Sequence, residues 1–343
     1  GLGVPIQYGA RLSGKLNKDL RMSLMNMQTA NTSAAEPSQN FTVLALQRRV
    51  FARSNIGAIV INKQSLNFGA ENAAAGVSRY NRIAGLEYNL ASSNNTWTGK
   101  AVTMKSFSPN KSGRDLMQAA NLQYWTGNWN LNWQHEYVGR NYNAEVGYVP
   151  RRGYINLSPQ ASYLFFPKKG PLVSHGPKIF SANYFDESFK RTDNTNYLAY
   201  NLNFRSRATF TAWVANDYVK LLRPFDPTNR GGDSLAVGSE HHWQSFGTEF
   251  ASRPQSLYTF SFSSRYGGYY AGGTRLNMTS EFGYRFQPYV SLALSSSYND
   301  IRLPQPWNKT TFWLIGPRVD VTMTNKLFFT GFVQYNEQSD NIN

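Results

Sequence analysis

Hydrophobic and polar residues alternate along much of this chain with a period of two. Over residues 129–137 the odd positions are Trp129, Leu131, Trp133, His135 and Tyr137, and the even ones are Asn130, Asn132, Gln134 and Glu136. Successive side chains of an extended strand point to opposite faces, so this segment has one apolar face and one polar face. A helical period would scatter the same residues around the axis. The pattern recurs. Leu198, Tyr200, Leu202 and Phe204 stand against Asn201, Asn203 and Arg205. Tyr258, Phe260 and Phe262 oppose Thr259, Ser261, Ser263 and Arg265. Leu276, Met278, Phe282, Tyr284 and Phe286 oppose Asn277, Thr279, Glu281, Arg285 and Gln287. Val290, Leu292 and Leu294 oppose Ser291, Ser295 and Ser297, and Leu122 and Tyr124 oppose Asn121 and Gln123.

Turn residues punctuate these runs. Short hairpin turns are predicted at Asn17-Lys18-Asp19, residues 92–95, Gly127-Asn128, Asp193-Asn194 and Asn325-Lys326. Longer polar connections are predicted at residues 30–39, 66–78, 109–114, 168–178, 223–234 and 303–309. About 18 strands of about 10 residues follow, long enough to cross a bilayer when tilted. Short turns at one end and long loops at the other is the arrangement of an outer-membrane barrel. Soluble propellers and sandwiches also alternate, but their strands are shorter and their second faces less uniformly Asn, Ser, Thr and Gln. The predicted class is therefore all-β, a large antiparallel transmembrane β-barrel, with residues 1–343 forming one domain.

Composition sharpens this picture. The chain has 343 residues, 15% aromatic and only 16% charged, against about 25% charged in ordinary soluble domains. Its mean hydropathy is nevertheless −0.49. Aromatic, charge-poor and polar at once suits strands with one face to lipid and one to water. No run of about 18 apolar residues occurs, which excludes helical spans. Cysteine is absent, which removes disulfides and thiol chemistry. The opening Gly1-Leu2-Gly3 is not a signal peptide, so export would use an upstream segment.

The formal net charge is +15. It is read either as a basic lumen or surface that meets anions, or as basic residues scattered over loops and strand ends. No recognition helix accompanies it, and no nucleic-acid partner is expected. The expected partners are outer-membrane lipid and lipopolysaccharide, with other outer-membrane or periplasmic proteins as further candidates. Tyr266, Tyr269 and Tyr270 among glycines over residues 266–273 read as an interfacial aromatic girdle or as a loop tip.

Candidate chemistry is sparse. His241 and His242 would face opposite sides of a strand, and His135 falls on the apolar side of its own, so neither position suggests a metal site. No G-x-S-x-G elbow or paired-carboxylate arrangement is present, so no enzyme, cofactor or metal is expected. Glu87, Glu136 and Glu281 fall on the polar face, as pore-lining groups or as partners of Arg265 and Arg285. Arg205 joins this lumen set. The segment Val149-Pro150-Arg151-Arg152-Gly153 is read as a loop folded into a lumen, with Arg151 and Arg152 as anion contacts, or as an exposed turn.

Four segments carry a family resemblance. They are Tyr8-Gly9-Ala10-Arg11-Leu12-Ser13-Gly14-Lys15, Ile56-Gly57-Ala58-Ile59-Val60-Ile61-Asn62-Lys63-Gln64, Ala84-Gly85-Leu86-Glu87-Tyr88-Asn89 and Glu145-Val146-Gly147-Tyr148-Val149-Pro150-Arg151-Arg152-Gly153-Tyr154. Together they resemble the barrel domain of a Bacteroidota outer-membrane family, domain of unknown function 5916. The resemblance implies an outer-membrane barrel without an established activity. Members of that family often carry a carbohydrate-binding family 9-like module ahead of the barrel, and none is expected within these residues. The polar end over residues 338–343 lacks a terminal aromatic, so one or more final strands are expected beyond it. The function expected is an accessory or structural component of an outer-membrane assembly for secretion, uptake or barrel insertion. The alternative is a passive channel for polar or anionic solutes such as glycans, and an outer-membrane hydrolase is the weakest reading.

Overall fold

A computed structural model describes residues 4–109, 111–324, 326–338 and 341–342. The turn expected at Asn325-Lys326, the opening Gly1–Gly3 and part of the polar end lie outside them. The chain is all-β, with its strands in one antiparallel sheet. They are β1 (Ile6–Lys15), β2 (Leu20–Thr29), β3 (Gln39–Val50), β4 (Ser54–Ser65), β5 (Tyr80–Ala91), β6 (Trp97–Phe107), β7 (Leu116–Trp125), β8 (Trp129–Val138), β9 (Tyr154–Tyr163) and β10 (Leu172–Asp186). They continue with β11 (Arg191–Phe204), β12 (Thr209–Lys220), β13 (Glu240–Ala251), β14 (Tyr258–Gly268), β15 (Thr274–Phe286), β16 (Val290–Arg302), β17 (Lys309–Thr322) and β18 (Phe328–Phe332). The two-residue strands β19 (Tyr335–Asn336) and β20 (Asn341–Ile342) complete the described sheet. The one α-helix among the described residues is α1 (Ala70–Ala74), inside the β4–β5 loop.

Two compact units divide the chain. The first comprises residues 1–126, 130–159 and 184–190, and the second residues 127–129, 160–183 and 191–343. In the first, β1–β8 pair consecutively; in the second, β11–β18 do the same.

Loop lengths alternate as expected, with two corrections. Connections after odd-numbered strands are brief, such as residues 16–19, 51–53, 126–128 and 287–289. Those after even-numbered strands are mostly long, above all 66–79, 139–153 and 221–239. Asp193-Asn194 is not a turn: both residues lie within β11, and the chain turns at 187–190. Asp186 makes that turn, its Oδ1 accepting from the backbone of Ser188 and Lys190. Residues 168–178 are not one long loop, because β10 begins at Leu172 and the connection belongs to the brief set. Turn-forming residue types were read there without their register.

Register converts the alternation into rows. In the second unit Leu198 opposes Val214, Val214 opposes Phe246, Phe246 opposes Tyr266 and Tyr266 opposes Leu276. Leu198, Val214 and Phe246 are 51%, 52% and 56% exposed. A continuous apolar row this open would be a liability in water and is suited to lipid. Aromatics gather at the short-turn ends of this face. Trp97 meets Tyr124 at 4.7 Å in the first unit, and Tyr258 meets Tyr284 at 4.6 Å in the second.

Candidate functional site

The opposite face carries the polar side chains, and the long loops fold onto it. In the first unit the 139–153 loop crosses three strands in regular steps. The backbone N–H of Asn141 donates to Arg114 O in the β6–β7 loop at 3.0 Å. The Asn143 N–H donates to Ser106 Oγ on β6 at 3.0 Å. The Glu145 N–H donates to Asn81 Oδ1 on β5 at 3.1 Å, and its carboxylate accepts from Lys63 Nζ on β4 at 2.6 Å. Every second residue therefore meets the next strand across.

The anchors on β4–β6, Lys63, Asn81 and Ser106, are buried. Asn81 is 0% exposed and also donates to Ser108 Oγ and Asn143 O, each at 2.8 Å. Tyr142 is buried with Val138 and Tyr154, against Met104 and Met117. Burial works to raise the Glu145 carboxyl, but hydrogen bonds from Lys63, Ser78 and Asn143 and the Lys63 charge outweigh it and hold it below the ordinary carboxylate range. Glu187 ties the neighbouring loops together. It accepts from Arg114 Nη1 at 2.9 Å and lies 3.7 Å from Arg140 Nε.

Several expected site residues converge here. Arg152 Nη2 donates to Asn143 Oδ1 at 2.9 Å, and Arg151 lies over the rings of Tyr154 and Tyr184 at 5.4 and 5.3 Å. Tyr154 donates to Glu136 at 2.9 Å. The Arg151-Arg152 segment thus belongs to the loop laid on the polar face. Glu87, Glu136 and Glu281 lie on the polar faces of their own units. Glu87 pairs with Lys100 at 2.9 Å, and Arg265 pairs with Asp217 at 2.9 Å. Arg285 donates to Pro254 O, and Arg205 sits just past β11 and donates to Gly170 O.

The second unit folds its own loops over its polar face. Tyr269 and Tyr270 do not form a girdle. Tyr270 packs on Trp243 at 4.9 Å, on Phe225 at 4.9 Å and on His241 at 5.4 Å. Ala271, at φ 53°, makes the tight turn that points them there. His241 and His242 do take opposite faces, since His241 opposes Val219 and His242 opposes Tyr218.

Asp226 organises the 221–239 loop. One oxygen accepts from the Thr228 N–H and hydroxyl at 2.8 and 2.7 Å. The other accepts from the amides of Arg230, Gly231 and Gly232 at 2.9, 2.9 and 3.1 Å. Burial pushes this carboxyl up, but those donors prevail and hold it at about 2. A depressed carboxylate contributes stability that is present above its unfolded pKa of about 4 and fades as the pH falls through its folded value. The loop is therefore expected to become protease-sensitive between about pH 4 and pH 2. Asp226→Ala should be sensitive at neutral pH, and equal cleavage of variant and parent at pH 7 would contradict this role.

Sequence reasoning missed Lys63, Asn81 and Asn143. The clue was the alternation of Asn141, Asn143 and Glu145, which continues the period of two into a loop.

An all-β antiparallel sheet with an open apolar face, a polar face and alternating short and long connections defines a β-barrel fold of the outer-membrane type. The chain belongs to the family described as Domain of unknown function (DUF5916), whose model matches residues 12–338. Among curated proteins, none matches the chain. Among solved structures, the chain is similar to Pseudomonas aeruginosa OccK10 (OpdN), with 12% identity, a TM-score of 0.44 and coverage of 92% of this chain and 98% of that one. Pseudomonas aeruginosa OccK3 (OpdO) shows 10% identity and a TM-score of 0.45 over 94% of this chain and 93% of that one. The open form of the Ferric-Catecholate import receptor Fiu from E. coli K12 shows 8% identity and a TM-score of 0.40; the match covers 96% of this chain and 62% of the receptor.

Proposed function

We propose that this protein is a bacterial outer-membrane β-barrel that passes polar, anionic solutes along a lumen narrowed by the 139–153 loop. One observation carries the reading: the loop is laid across the polar face of β4–β6 by buried anchors and brings Arg151 and Arg152 with it. A loop fastened inward restricts a lumen, and paired guanidinium groups favour anions within it. The open apolar rows and the aromatics at the short-turn ends support an outer-membrane setting, with outer-membrane lipid and lipopolysaccharide as neighbours.

Planar-bilayer recording of the purified chain tests this. Anion-selective conductance is expected. Arg151→Gln with Arg152→Gln should cut the anion preference while leaving the pore open. If neither the parent nor a variant lacking residues 141–151 conducts, the channel reading fails. The accessory role in an outer-membrane assembly then stands in its place, with native mass spectrometry for a stoichiometric partner as its test.

A further inference from the structure

One part of the polar face is not polar. In the first unit Met25, Val43, Ile61 and Ile83 form a registered row on it. The next row, Ala45, Ile59, Gly85 and Met104, is apolar too. A water-filled conduit gains nothing from such a wall, because apolar surface facing water is unfavourable. Tyr142 covers Met104 and Met117. Ala45, Ile59 and Val102 instead line a cavity of about 570 Å³, within the size range of small-molecule sites.

The cavity is charged at one end. Lys15 and Arg21 lie there, registered opposite each other, while Arg11 lines the cavity further along, opposite Met25. Among the described residues, neither Lys15 nor Arg21 makes an ion pair within 4.0 Å. Glu87 at the same level is already neutralised by Lys100. From Arg21 to Met25 the wall extends about 13 Å at the rise of an extended strand, the reach of a medium alkyl chain.

We propose that this groove binds a single-chain amphiphile, with its alkyl chain on Ala45, Ile59 and Val102 and its anionic head on Lys15 and Arg21. The inference rests on the barrel reading only in taking this face to be the interior. A fatty-acid carboxylate and a lipid phosphate share the required chemistry.

The absence of cysteine allows a clean test. Ser23→Cys lies on the groove, and Leu24→Cys lies on the opposite face. The full chain, reconstituted in phosphatidylcholine vesicles, is labelled with a charged maleimide. Ser23→Cys should react, and palmitate should slow the reaction roughly tenfold, the order expected from burying one apolar side chain's worth of contact. Hexadecanol lacks the charge and acetate lacks the chain, so neither should protect. Ile59→Asn and Arg21→Gln should each abolish most of the protection. Heat-modifiable migration reports that each variant has folded, and Arg21→Gln keeps the test decisive if Ile59→Asn does not fold. Protection by dodecyl phosphate as well as palmitate would indicate a site for either head, and protection by palmitate alone a carboxylate site. Equal protection by hexadecanol, or full protection in Arg21→Gln, overturns the proposal. Ser23→Cys labelled but never protected overturns the amphiphile site alone. Leu24→Cys labelled while Ser23→Cys is silent overturns the face assignment and the barrel reading with it.

Discussion

Glu145→Gln is expected to release the 139–153 loop. It removes the charge facing Lys63, whose side chain is only 10% exposed and which would be left without its 2.6 Å partner. Removing one member of a buried pair costs about 3–5 kcal/mol. The lower end applies here, because the Glu145 side chain is 22% exposed. The amide retains hydrogen-bonding capacity toward Asn143 but not the charge. Loss should appear as proteolytic cleavage within the loop and as an earlier urea transition. Lys63→Met should act in the same direction. The double variant Lys63→Met, Glu145→Leu should recover much of the loss, since two apolar groups leave no unpaired charge. If the single variants resist proteolysis as the parent does, the pair does not fasten the loop. Acid should mimic the variant. The Glu145 carboxyl is held low, so its contribution is present above the ordinary carboxylate range and is lost as the pH falls below it.

Gly247→Val should damage the second unit. Gly247 opposes Trp213 across the β12–β13 pair. A Cβ at this position would run into Ser264 O on β14 and into the Trp213 indole. The carbonyl belongs to the strand ladder and cannot move without breaking it, and the indole is packed against Tyr197 at 5.6 Å. Overpacking typically costs about 1–3 kcal/mol, and the upper end applies where the backbone cannot yield. The variant should refold poorly into vesicles and lose heat-modifiable migration. Gly247→Ala should be intermediate. Trp213→Ala should partly rescue Gly247→Ala by removing the indole clash, and an absence of rescue would point to Ser264 as the obstacle.

Much of the architecture was legible because a strand needs only local information. The alternation at Leu198–Phe204 or Tyr258–Phe262 already separates two faces, and register preserves that division. The same property carried the placement of Glu87, Glu136 and Glu281 on the polar faces and of His135 on the apolar one. The partners of these residues were not legible. Arg265 could have met any carboxylate on its face, and only the pairing of β12, β13 and β14 brings it to Asp217.

The amino-acid sequence by itself determined the strands, their two faces and the alternation of brief and long connections, because each follows from neighbours in the chain. Tertiary structure alone decided where the loops go. Lys63 and Glu145 are 82 positions apart, and Asn81 and Glu145 are 64 apart. Closing such distances depends on strand order and register, which no local pattern encodes. The apolar rows of the first unit are of the same kind. Val43-Leu44-Ala45-Leu46 and Ile59-Val60-Ile61 read along the chain as uninterrupted apolar runs. Only registered pairing shows that Val43 and Ile61 share one face while Leu44 and Val60 share the other.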